Sequence, residues 1–294
     1  MPSTPLMATA RFDFEAIGTA WRIDVFDEIR PDEKEPLLRA IMARIDGFDR
    51  AYSRFRDDSI VASISKAPGV YRLPDDAKPM LELYHEAYEL TGGRVTPLIG
   101  DLMSDAGYDA AYSLKQQRPL RQPPRWEDAI EYSHPDLTMK LPALLDFGAA
   151  GKGYLVDIVG EVLRAGGIRS FGINAGGDIL YRGEKPIVIG LEDPDDPQKV
   201  IGIYPLSGGS ICGSAGNRRV WPGFTHIIDP LELRSPTAIR AVWTVADTAL
   251  LADMLATCLF FVKPEVLAAR YSFEHLIVYD DRSYERSGGF KGKL

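Results

Sequence analysis

Apolar and polar positions change period several times along the chain. Between residues 11 and 26 they alternate imperfectly on either side of Gly18, which predicts a strand pair or one long bent strand. After Pro31 the period lengthens, and Leu37, Leu38, Ile41, Met42, Ile45 and Phe48 recur at helical spacing. The stretch from Ser53 to Gly69, SRFRDDSIVASISKAPG, reads as a loop. Met80, Leu81, Tyr84, Ala87 and Tyr88 predict a second amphipathic helix over 78–91, stopped by Gly92 and Gly93. Residues 113–125, with Pro119, Pro123, Pro124 and several basic side chains, read as an exposed loop.

The second half carries more strands. A helix is predicted behind Gly151, with Tyr154, Leu155, Ile158, Val159, Val162 and Leu163 on one face and Gly166 and Gly167 at its end. SFGINAGGDIL reads as strand, tight turn, strand, and further strands are predicted at 186–191, 199–206, 209–213 and 239–245. Residues 247–262 are apolar nearly all round and predict an enclosed helix. FEHLIVYD predicts a late strand, and the tail 281–294 reads as frayed. Helices and strands mix without a regular βαβ period, so the expected class is α+β. No linker marks a domain boundary, and one domain over 1–294 is expected, with two intertwined lobes as the other arrangement.

Composition narrows the function. A net charge of -8 on 294 residues argues against nucleic acid, whose phosphates call for a basic face. Two cysteines, Cys212 and Cys258, make no disulfide framework or Cys-x-x-Cys motif, and the four histidines lack metal-ligand spacing. A metal would therefore be a hard one held by oxygen, such as magnesium. The N-terminus lacks a basic and then apolar leader, and the apolar run 249–262 is too short for a membrane span and contains Asp253. A cytoplasmic protein is expected.

Five stretches can carry chemistry. DFGAAGKGYLVD, residues 146–157, looks like a phosphate loop, but Asp146 stands where a P-loop has its first glycine and Gly153 where it has Ser or Thr. Its glycines still permit close backbone approach, and a helix N-terminus with Lys152 suits an anion; a plain strand-to-helix turn is the alternative. Asp253 and Thr257 lie four apart on one face of the enclosed helix, where the carboxylate is either capped by a neighbouring loop or joins the hydroxyl in giving two oxygens to one magnesium. In NAGGDI, Gly176 and Gly177 make a turn, and Asp178 either caps it or binds a ring N–H. Arg54 and Ser59 of the Ser53–Ser65 stretch could touch a nucleotide. His226, before a turn-forming Asp-Pro, is either structural or a general base.

Taken in order, AIGTAW, YSRFRDDS, GGRVTP, DFGAAGKGYLVD, NAGGDI, HIIDP and LADMLAT resemble the ApbE family, the FAD:protein FMN transferases, over roughly residues 12–279. The resemblance implies mixed sheets with packed helices and a nucleotide site at the glycine-rich strand–helix turn. It implies FAD as substrate, magnesium as cofactor, and a flavoprotein acceptor bearing a Ser or Thr target. Asp253 and Thr257 would bind the metal, joined by the carbonyl of Gly151, where the family usually has alanine. Lys152, Asp157, Gly176, Gly177 and Asp178 would line the flavin-nucleotide site, with Ile17, Gly18 and Thr19 from the N-terminal strand and Ser59 from the loop. His226 would be the base. Departures fall at Ile17, Ser65, Thr96, Gly213–Asn217 and residues 231–236, on the substrate side. An FAD pyrophosphatase and an inactive flavin-binding protein are the competing readings.

Overall fold

The computed structural model describes residues 7–294; residues 1–6, part of the stretch read for a leader, lie outside the described residues. Strands β1 (Ala10–Ala16) and β2 (Thr19–Val25) form a hairpin around Ile17 and Gly18, both at positive φ as a two-residue turn requires. Helix α1 (Pro31–Tyr52) follows and buries Ile41, Ile45 and Phe48, while Met42 stays exposed. The predicted loop 53–69 instead contains a short helix, α2 (Ile60–Ile64). Ser59 caps it by accepting the Ala62 N–H at 2.9 Å.

Strand β3 (Gly69–Arg72), helix α3 (Lys78–Leu90), a 3-10 turn (Pro97–Ile99) and helices α4 (Gly100–Ala106) and α5 (Trp126–Ala129) lead to β4 (Ile130–Ser133) and β5 (Asp136–Met139). The last two join β3 in a small sheet ordered β3-β5-β4, which the pattern reading missed because its strands are four residues each. Residues 113–125 carry no regular structure, as expected of a loop.

Helix α6 (Gly151–Ala165) leads to the hairpin of β6 (Phe171–Ala175) and β7 (Asp178–Arg182). A long ribbon, β8 (Ile187–Asp193) with β9 (Asp196–Leu206), follows. Then come β10 (Gly209–Ala215), the small pair β11 (Val220–Trp221) and β12 (Phe224–Thr225), and β13 (Ile239–Ala246). The chain closes with α7 (Ala249–Cys258), α8 (Pro264–Ala268), β14 (Glu274–Tyr279) and β15 (Tyr284–Arg286).

The main sheet is antiparallel and eight-stranded, in the order β1-β2-β6-β7-β10-β13-β14-β15. Its side chains alternate between two cores. Leu180, Cys212, Val242 and Ile277 face the helices, while Ile179, Tyr181, Ile211, Trp243 and Leu276 face the other way, toward Leu191, Tyr204 and Leu206 of the ribbon. Burial on both faces explains why the central strands read as continuous apolar runs. The tail expected to fray is ordered: β15 pairs with β14, Phe290 is buried against Tyr204, and Lys293 exchanges backbone bonds with Ile203. Among the described residues no helix is long and apolar enough to cross a membrane.

Candidate active site

Helices α6 and α7 cross close together because Gly153 has no side chain. A Cβ there would run into the Ala249 carbonyl oxygen and come within 2.7 Å of the Asp253 Cβ. This contact sets up a reciprocal capping arrangement. Asp253 of α7 accepts the Gly153 N–H of the first turn of α6 at 2.9 Å. Asp157 of α6 accepts the Ala249 and Leu250 N–H groups of the first turn of α7 at 2.9 and 2.8 Å. Each carboxylate sits at the positive end of the other helix, satisfying donors that have no partner within the helix.

The two aspartates differ in what is left over. Both oxygens of Asp157 are used, burial pushes its pKa up to about 6, and it does not line the cavity. Asp253 uses only Oδ2 and lines the cavity together with Thr257. Burial raises the Asp253 pKa, while the Lys152 charge and the Gly153 N–H oppose that rise.

That cavity has a volume of about 740 Å³, within the usual span of small-molecule sites. Two hairpin tips stand side by side at its edge, because β2 and β6 are neighbours. One tip brings Ile17, Gly18 and Thr19, the other Gly176. Gly176 has φ +61 and its N–H donates to the Ala20 carbonyl at 3.1 Å; a Cβ there would collide with the Thr19 hydroxyl. Gly151 and Lys152 come from α6 and His226 from the loop after β12. Ile17, Gly18, Thr19, Gly151, Lys152, Gly176, His226, Asp253 and Thr257 therefore meet in one space, although they span most of the chain.

Four expected residues stand elsewhere. Asp157 caps α7 and Ser59 caps α2, so neither faces this cavity. Asp178 is fully buried and ion-paired with Lys152, with Oδ1 unpartnered, and does not line the cavity. Gly177 lines a second, neighbouring cavity.

Gly151, the first residue of α6, lines the cavity beside Asp253 and Thr257. The Ala150 carbonyl accepts the Tyr154 N–H at 2.9 Å. Phe147 accepts from Ala150 and Gly151. Gly148 and Ala149 are the residues of this turn whose carbonyls have no backbone partner among the described residues, and both line the cavity. The hard donors that line the cavity are the Asp253 carboxylate, the Thr257 hydroxyl and the backbone carbonyls of Gly148, Ala149 and Gly151. Among the described residues no group of three or more His, Cys, Asp or Glu could hold a metal. A magnesium that keeps water and substrate oxygens needs no such cage.

His226 is half-buried, and its Nδ1 is shut off from solvent without a partner. Burial, then the charges of Arg219 and Lys152, lower its pKa to about 4, so the imidazole is neutral near pH 7. Asp229 fixes the turn after it, accepting the Leu231 and Glu232 N–H groups and pairing with Arg94 at 3.0 Å.

The cavity is also lined by Arg54, which the sequence reading singled out, and by Phe55, Tyr108, Tyr112 and Arg219, which it did not. Arg54 is buried, bonds Asp146 Oδ2 at 2.5 Å, and leaves Nη2 without a partner. Its guanidinium lies 4.2 Å from the Phe55 ring centre and 4.8 Å from that of Tyr108. Phe55 stacks on Tyr112 at 5.3 Å, and Arg219 approaches Tyr108. Asp146 also accepts the Gly148 N–H at 2.6 Å, so it joins the arginine to the turn before α6. These residues sit in loops, where no periodicity flags them.

Comparison with known proteins bears on the family and the fold. The ApbE family model matches residues 17–276. The FAD:protein FMN transferase of Treponema pallidum (strain Nichols) is 24% identical over 313 aligned residues, 95% of this chain and 86% of that protein. That of Rhodobacter capsulatus is 33% identical over 123 residues, 39% of this chain and only 23% of the relative's length. The flavin transferase ApbE from Vibrio cholerae superposes with a TM-score of 0.79 at 20% identity, covering 96% of this chain and 98% of that one. The ApbE protein from Thermotoga maritima gives 0.80 at 24% identity, covering 96% and 99%. The α+β architecture is therefore that of these solved structures.

Proposed function

The chain belongs to the ApbE family, and from that membership we propose that it transfers FMN from FAD to an acceptor protein. In this reading a serine or threonine hydroxyl attacks the phosphorus on the FMN side of FAD. An oxygen–phosphorus bond forms to the acceptor, the bond from that phosphorus to the AMP oxygen breaks, and AMP departs. His226, neutral above about pH 4, takes the hydroxyl proton and passes it to solvent. General bases contribute roughly 100- to 10,000-fold. A magnesium held by Asp253, Thr257 and the carbonyl of Gly151 would offset the pyrophosphate charge and that building on AMP. Lys152 and the unpartnered Nη2 of Arg54 add positive charge, and Phe55, Tyr108 and Tyr112 offer flat faces to a heterocycle.

The observation that carries this reading is the meeting of Asp253, Thr257 and a neutral His226 around one cavity of nucleotide size. The test is the intact mass of a threonine-bearing acceptor domain after incubation with the protein, FAD and magnesium. A gain of one FMN, abolished by chelation, is expected. Free FMN and AMP with no gain would instead identify a pyrophosphatase, and intact FAD a binding protein.

A further inference from the structure

Strand β10 runs past the end of its neighbour. β7 pairs with it only at Gly209–Ile211, whereas β13 pairs with it from Ser210 to Ala215. β7 begins at Asp178, where the Gly176–Gly177 turn carries the chain back to β6. Residues along an antiparallel strand point their backbone groups alternately to its two sides. The Gly216 N–H donates to Arg240 O on the β13 side, so even-numbered residues face β13. Gly213 and Ala215 therefore aim their N–H and C=O at the side β7 has left, where no strand pairs with them among the described residues.

This notch joins two cavities. The site described above lies on the helix face of the sheet. A second cavity of about 400 Å³ lies on the ribbon face, against Ile189, Gly190 and Trp243. Gly176, Gly213, Ser214, Ala215 and Arg218 line both. The sheet is thus open at one point, beside the catalytic space.

We propose that an extended segment of the acceptor protein lies in the second cavity and pairs as an added strand with Gly213 and Ala215. Its target hydroxyl then passes through the notch toward His226. The proposal rests on the transferase reading. Two residues of the same parity present two donors and two acceptors at a spacing of about 6.6–6.8 Å, the repeat of a strand. A polypeptide matches that repeat along its length, which is the usual chemistry of strand addition. The charges at the rim are already matched, Arg22 with Asp13 at 2.9 Å and Arg218 with Glu192 at 3.0 Å, so no lone charge calls for an ionic ligand. Gly213 keeps the notch clear, since a Cβ there would press on the Trp243 indole at 3.0 Å.

The test uses the acceptor segment that the unsubstituted chain flavinylates, made as synthetic peptides N-methylated at one residue at a time around the target. Methylation at alternate residues is expected to cut transfer at least tenfold, and at the intervening residues to change it less than about twofold. In the full chain, Ala215→Pro removes one N–H from the open edge while leaving the ladder to β13 intact. It is expected to raise KM for the acceptor at least tenfold with kcat little changed. Equal loss at both parities, or at neither, with an unchanged KM in Ala215→Pro, overturns the edge pairing and leaves the transferase reading standing. If no acceptor gains FMN from the unsubstituted chain, the transferase reading falls and this proposal with it.

Discussion

At the scale of single residues, Asp253 carries two duties that one substitution can separate. Its Oδ2 holds the first turn of α6 through Gly153, and in the proposed function its charge also binds the metal at the cavity it lines. In Asp253→Asn an amide oxygen can still accept that N–H while the charge is gone. Melting is expected to shift by only a few °C, and transfer to fall by on the order of 100-fold or more, as suits a lost metal ligand. Thermal denaturation and acceptor mass together check both halves. His226 gives a second residue-level expectation. Its pKa is depressed, so the neutral base form fills as pH rises through about 4, and the acid limb of kcat/KM belongs there rather than near the usual histidine value. His226→Ala should remove that limb and lower kcat by roughly 100- to 10,000-fold, measured as a pH–rate profile. The sequence pointed to both residues by type and setting. It could not tell Asp157, whose two oxygens are spent on a helix end, from Asp253, which keeps one free; that distinction lies in which N–H groups each carboxylate meets.

At the scale of elements, the glycines of the 146–157 stretch have unequal roles that spacing conceals. Gly153 permits the α6–α7 contact, and Gly151 has room, its Cβ falling at 3.5 Å from the Phe147 Cβ. Gly153→Ala is expected to destabilise by about 1–3 kcal/mol or more and to weaken FAD binding by moving Asp253. Gly151→Ala is expected to stabilise by up to about 1 kcal/mol, since alanine suits a helix better. Chemical denaturation of the pair measures the contrast. A phosphate-loop likeness thus has a packing origin as well as a ligand one. Helices α1, α3, α6 and α7 were legible because each repeats its apolar face over several turns. Helix α2 and the sheet β3-β5-β4 were not, because four or five residues do not complete a readable period.

At the scale of the whole molecule, the helices cover one face of the main sheet and the β8–β9 ribbon covers the other, with the C-terminal residues sealing the ribbon side. Phe290 is buried against Tyr204, with ring centres 4.9 Å apart. Phe290→Ala is expected to cost about 3–5 kcal/mol of stability, read from denaturant titration, while leaving FAD affinity unchanged because the ring packs on the far face from Asp253. The tail looked frayed from sequence because serine, glycine and lysine dominate it, and one phenylalanine among them gives no pattern. What the sequence by itself determined was the α+β class, the long helices, and an ordered series of motifs sufficient to place the chain beside one family. Local propensity and side-chain chemistry travel with the residues, so they can be read in a line. Tertiary structure alone decided that both oxygens of Asp157 are spent on a helix end while Asp253 keeps one free beside the cavity. It alone seated Arg54 on Asp146, ninety-two residues away, and left β10 longer than β7. Those outcomes depend on which groups remain unpaired once every other partner is taken, and pairing is a property of the assembled sheet and helices.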